Sequence, residues 1–238
     1  MNINREHKII WWAPERCGTK ITAEIFKKFN FEVYNPKKDT FQPLKESYHS
    51  HAIQVHPKFE GYTVISNIRN PYDRILSFYL NFTSVGKNFV YTKNRKHKLQ
   101  ERLDYFILEL FQYSLKENKI ENLERETPVK DYVSRLNFDN FVPTKFIRME
   151  NLIDDLSKID FIVDSQFWAN GEIQEMVEKN QFLNERPFHF SEVYSMTSAF
   201  KVFDYYRKHF FICDYDPYSF TVKTLTNEEK FNFVHGIF

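Results

Sequence analysis

Apolar residues along the chain come in short runs, each followed after a break by residues at helical spacing. The run KIIWW, Lys8 to Trp12, has the length of a strand, and in KITAEIFKKF behind it Ile21, Ile25 and Phe29 share one helical face. The succession recurs in YTVISNIRNPYDRILSFYLNF: a strand from Tyr62 to Ile68, a break at Pro71, then Tyr72, Ile75, Leu76 and Tyr79 on a helix. A third copy, KFIRMENLIDDLSKI, marks its helix with Leu152, Leu156 and Ile159. A further helix is expected from about Glu101 to Glu117, and Met196, Phe200, Phe203 and Phe210 form one core-facing stripe in SMTSAFKVFDYYRKHF. YHSHAIQVHP reads as another strand, with His49 and His51 on one face and His56 on the other. Alternating strands and helices predict an α/β fold, a central parallel sheet flanked by helices, with the three junctions lined up at the carboxyl edge of the strands, where ligands bind.

No internal repeat or Gly/Ser-rich linker divides the chain, and 238 residues suffice for one core, so a single domain over 1–238 is expected. Thirty-three Lys and Arg oppose 32 Asp and Glu, a formal net charge of +1. No global field then draws the protein to nucleic acid or a membrane, and an anion site has to be built locally. Two cysteines, Cys17 and Cys213, argue against a disulfide framework or a Cys-rich zinc site and fit a reducing compartment. The apolar part of MNINREHKIIWWAPE is too short for a signal sequence, no later run reaches spanning length, and the expected location is cytoplasmic. No Asp/Glu/His cluster has metal-ligand spacing, so no metal is expected, and oligomeric state stays open.

The first junction, IIWWAPERCGTKITAEIF, places Gly18 beside Thr19 at a helix start. Backbone N–H groups there favour an anion, and Arg16, Lys20 and the Thr19 hydroxyl add donors. The loop is not a Walker A sequence: the first glycine is missing and Thr-Lys stands in reversed order. At the second junction Arg69 closes a strand and Ser77 lies eight positions on, two turns into the next helix, where a guanidinium and a hydroxyl could hold one phosphate from two sides.

Together these segments resemble the sulfotransferases that use 3′-phosphoadenosine 5′-phosphosulfate (PAPS), most closely their carbohydrate-type branch with its P-loop-NTPase-like fold. APERCGTKI is similar to the family's loop for the 5′-phosphosulfate, and IRNPYDRILSFY to the segment that grips the 3′-phosphate through its Arg and Ser. FIRMENLIDDL resembles the later strand-Glu-Asn-Leu segment, and VFDYYRKHFFICDYDPYSF the closing helix and Tyr-Asp ending; Gly86 to Phe138 and Asp164 to Glu192 resemble nothing in the family. The resemblance implies that Arg16, Cys17, Gly18, Thr19 and Lys20 hold the phosphosulfate and that Arg69 and Ser77 hold the 3′-phosphate. Arg186 would close over the nucleotide's 3′ side. Many members carry Pro-Lys in the first loop. Aligned on Pro14 that lysine becomes Glu15; aligned on Gly18 the cation is Arg16, which suits the charge that grows on the leaving phosphate oxygen.

The acceptor hydroxyl needs a base, for which His51 is the first candidate and His49 the second. The basic stretch with Lys87, Lys93, Arg95, Lys96 and Lys98 suits an acidic or sulfated saccharide at the mouth of the site. The expected reaction is sulfuryl transfer from PAPS to a hydroxyl of a saccharide, giving a sulfate ester and adenosine 3′,5′-bisphosphate (PAP). Two other readings stand beside it: a P-loop small-molecule kinase using ATP and magnesium, and a non-catalytic nucleotide- or glycan-binding relative, which Glu15 favours.

Overall fold

Short connections fix the sheet in the computed structural model, which describes residues 1–44, 55–82, 96–113, 143–183, 186 and 188–237. Only Arg5 to Lys8 separate β1 (Asn2–Asn4) from β2 (Ile9–Trp12), too little chain for a crossover, and the two pair antiparallel with Ile3 opposite Ile10. Helix α1 (Thr19–Lys27) follows, and then β3 (Glu32–Asn35) and β4 (Thr40–Pro43) form a hairpin with Tyr34 opposite Phe41. β5 (Thr63–Ile68) and β6 (Lys145–Arg148) arrive by longer routes and lie parallel: Ile10 faces Val64, and Ile68 faces Arg148. The order is β4-β3-β1-β2-β5-β6. The protein is therefore α/β with an open, mixed six-stranded sheet. This corrects the expectation of a parallel one, which holds only for β2, β5 and β6.

Among the described residues the remaining helices are α2 (Pro71–Phe82), α3 (Lys96–Tyr113), α4 (Leu152–Leu156), α5 (Glu172–Leu183), α6 (Met196–Tyr205), α7 (Arg207–Ile212) and α8 (Asn227–His235). Two single helical turns, Asp160–Val163 and Gln166–Ala169, precede α5. Among the described residues no helix is long and apolar enough to cross a membrane. Contacts divide the chain into two units, Met1–Arg69 with Phe138–Glu185, and Asn70–Asn137 with Arg186–Phe238.

The first unit contains the sheet. Ile9, Trp11, Ile65 and Ile147 on one face pack with Ile21, Ile25 and Phe26 of α1, Leu152 and Leu156 of α4, and Ile173 and Val177 of α5. On the other face Ile3, Ile10, Tyr34 and Val64 meet Phe59 from the 3-10 turn Pro57–Phe59. Strands apolar on both faces are what the middle of such a sheet requires. His56 does not extend a strand; it caps that 3-10 turn, its Nδ1 accepting from the Lys58 N–H at 3.3 Å.

The second unit is helical. Tyr72, Ile75, Leu76 and Tyr79 of α2 pack with Leu99, Leu103, Ile107 and Leu110 of α3, with Val202 and Phe203 of α6, and with Phe210 and Phe233. The aromatic stripe expected on one helix is split between two, because Tyr206 (φ −100°, ψ 20°) leaves helical geometry between α6 and α7. Phe203 and Phe210 still meet, with ring centroids 5.6 Å apart.

His209 of α7 is only 2 % exposed. Burial first, and the Arg74 guanidinium second, hold its imidazole well below the ordinary value. The folded state thus keeps it neutral while the unfolded chain takes up a proton below about pH 6.5. Its contribution to stability is complete above that pH and is lost as the pH falls, by at most about 1.4 kcal/mol per pH unit. Melting temperatures should fall from pH 7 toward pH 5, and His209→Phe should flatten the slope.

Candidate functional site

The parallel strands β2, β5 and β6 bring three chain segments to one edge of the first unit. Beyond β2 the chain runs Ala13 to Gly18 and starts α1 without a side-chain cap and without an acidic residue in its first turn. The N-terminal partial positive charge of the helix is therefore not offset by its own sequence. Arg16 (φ 62°) and Gly18 (φ 68°) are both left-handed, with Cys17 fully buried between them. A left-handed arginine costs about 1 kcal/mol and persists only where its surroundings hold it. Part of that hold is visible: Arg69, at the end of β5, donates from Nη1 to the Arg16 carbonyl oxygen at 3.3 Å. Thr19 is buried, Arg16 and Glu15 are half-buried, and Lys20 is exposed.

The third segment was expected at this edge, but Met149 was not singled out within it. Met149 follows β6 directly, and a Cβ built on Gly18 would overlap its Sδ and Cε. Gly18 is thus required twice, by its backbone angle and by the thioether lying against it. Met149 is itself held in place from behind. Asp155 of α4, with a side chain 3 % exposed, accepts from the Arg148 backbone N–H and Nε at 2.9 Å each, from its Nη2 at 2.8 Å, and from Lys158 Nζ at 3.0 Å. Burial would raise the Asp155 carboxyl, but these cationic partners outweigh it and leave it below the usual carboxylate value.

α1 is tied to the sheet by one buried chain of hydrogen bonds. The Trp11 indole N–H donates to Asn67 Oδ1 at 2.6 Å, and Asn67 Nδ2 donates to Thr22 Oγ1 at 2.7 Å. Asn67 stands on the strand that ends in Arg69, so this chain fixes the loop's helix relative to the segment carrying the second cation.

Ser77 and Arg186 belong to the second unit. Ser77 is 5 % exposed on α2. Asn70 caps that helix, its Oδ1 accepting from the Tyr72 N–H at 3.0 Å and its Nδ2 donating to Ser219 Oγ at 2.9 Å. The Tyr72 hydroxyl donates to the Pro217 carbonyl at 2.7 Å, so the Tyr-Asp segment straps the first turn of α2. Asn-Pro ahead of an apolar helical pattern is the sequence signal for such a start. Arg186 is ion-paired through Nη2 with Asp73, one turn before Ser77 on the same helix. His49, His51, Lys87, Lys93 and Arg95 lie outside the described residues. Among the described residues no group of three or more His, Cys, Asp or Glu side chains is gathered as a metal ion would need.

No family model, curated protein or solved structure matches the chain.

Proposed function

We propose that the protein is a PAPS-dependent sulfotransferase with a P-loop-like phosphosulfate loop, acting on a hydroxyl of a saccharide. The observation that carries this reading is the start of α1: an uncapped helix terminus behind two left-handed residues, with Arg16 in the loop and Arg69 bonded to it. Arg16, Cys17, Gly18, Thr19 and Lys20 would receive the 5′-phosphosulfate. Arg69 and Ser77 are assigned to the 3′-phosphate from their residue types and sequence spacing, and Arg186 to the nucleotide's 3′ side from the resemblance alone. The acceptor oxygen attacks sulfur in line, the bond from sulfur to the bridging phosphate oxygen breaks, and PAP departs with the electron pair. Arg16 stabilises that charge, and His51, or failing it His49, takes the hydroxyl proton.

A thermal-shift series with PAP, with ATP and magnesium, and with buffer alone tests the reading, because a ligand of the native state raises its stability. PAP should raise the melting temperature. Arg69→Ala should remove the shift, since a charge-assisted phosphate contact is worth roughly 1.5 to 3 kcal/mol, about one to two decades in affinity. Stabilisation by ATP and magnesium but not by PAP would establish the kinase reading instead. Stabilisation by PAP without turnover of PAPS on any hydroxyl acceptor would favour the non-catalytic one.

His51 has its own signature. Turnover at saturating acceptor should fall at low pH with an apparent pKa of roughly 6 to 7. His51→Ala should lower turnover by about two to four decades while PAP binding holds. A larger loss in His49→Ala would move the role to that residue.

A further inference from the structure

The contact between Gly18 and Met149 joins the anion loop to a residue that sequence spacing does not connect with it. Met149 begins the 3-10 turn Met149–Asn151 between β6 and α4. On one side β6 is registered against β5, with Ile68 opposite Arg148. On the other, Asp155 of α4 clamps Arg148 through both its backbone and its guanidinium. The thioether therefore stands on a fixed post. Its sulfur occupies the position that a side chain at residue 18 would take, so it also limits how far the Gly18 backbone can swing.

We propose that Met149 is a positioning residue for the anion loop: it holds Gly18 in its left-handed turn and so sets the direction of the first backbone N–H groups of α1. The proposal rests on the reading of that loop as the phosphosulfate site. Without the thioether, the strain at Arg16 (φ 62°) is free to relax, and an array of donors that was organised in advance has to be ordered on binding. Leucine conserves most of the volume and should preserve the turn, whereas alanine should not.

The experiment compares the wild-type protein, Met149→Ala, Met149→Leu, Gly18→Ala and the double variant Gly18→Ala/Met149→Ala. Two readouts are taken: calorimetric affinity for PAP, and amide hydrogen exchange at Gly18, Thr19 and Lys20 without ligand. Met149→Ala should weaken PAP about tenfold and speed exchange at those three amides about tenfold, with the global unfolding midpoint little changed. Met149→Leu should stay within about twofold of wild type on both. Gly18→Ala should be impaired, and adding Met149→Ala should cost nothing more, because alanine at 18 has already displaced the thioether. Met149→Ala with wild-type exchange and affinity overturns the proposal, as does a double variant in which the two losses simply add. If the wild-type protein does not bind PAP at all, the sulfotransferase reading fails, and the exchange rates alone then decide whether Met149 holds the turn.

Discussion

Asn67→Ala is expected to lower the unfolding free energy by about 3 kcal/mol, the largest stability loss among single changes near the site. Trp11, Asn67 and Thr22 are each 0 % exposed, and the amide of Asn67 accepts from one and donates to the other. Alanine leaves the indole N–H and the threonine hydroxyl without this partner where water cannot replace it, at about 1 to 3 kcal/mol for each group. It also leaves a void in a close-packed layer. Against a total stability of about 5 to 15 kcal/mol the loss is large. Urea unfolding curves would show it as a lower midpoint. Thr22→Val, which removes one end of the chain and fills the space, should cost less. A change below about 1 kcal/mol in Asn67→Ala would mean that the chain of bonds does not hold α1 to the sheet.

Arg16→Ala should produce the largest change in activity among the described residues, a fall in turnover of about two to three decades. PAP affinity should fall by less than about tenfold, because in the proposed sulfuryl transfer the contact strengthens only as charge reaches the bridging oxygen in the transition state. Glu15→Ala should be mild. Arg16 and Glu15 are neighbours and both half-buried, so a non-specific disturbance of the loop would impair both variants alike. A dead Glu15→Ala beside an active Arg16→Ala would show that the loop is aligned on Pro14 and that Glu15 has a chemical task.

The parallel half of the sheet was legible because IIWW and TVISNI are apolar on both faces and each leads into a helix with its own stripe. The antiparallel half was not. In β1, Asn2 and Asn4 are buried amides, and Asn4 is accommodated by giving its Nδ2 hydrogen to the Phe29 carbonyl at 2.6 Å. β4, with the sequence TFQP, is an edge strand that buries little and ends in proline. Both are too short for their alternation to stand out in sequence, and short turns set the pairing of β1 with β2 and of β3 with β4.

The site divides in the same way. Arg16, Gly18, Thr19, Lys20 and Arg69 could be picked out because glycine at a helix start and cations at strand ends have a local chemical meaning. Met149 and Asn67 could not, because their roles come from the register of β6 and β2 against β5, which no local pattern encodes. Arg186 was legible as a cation, but its pairing with Asp73 depends on a contact 113 positions away in sequence.

On the proposed reading, the loop and Arg69 serve a nucleotide carrying a 3′-phosphate. The most direct measurement is calorimetric titration of the protein with PAP and with adenosine 5′-phosphate, which differ only in that group. PAP should bind at one site at least about tenfold more tightly, the value of one charge-assisted phosphate contact, and Arg69→Ala should remove most of that difference. Equal affinities for the two nucleotides in the wild-type protein, or binding of neither, would contradict it.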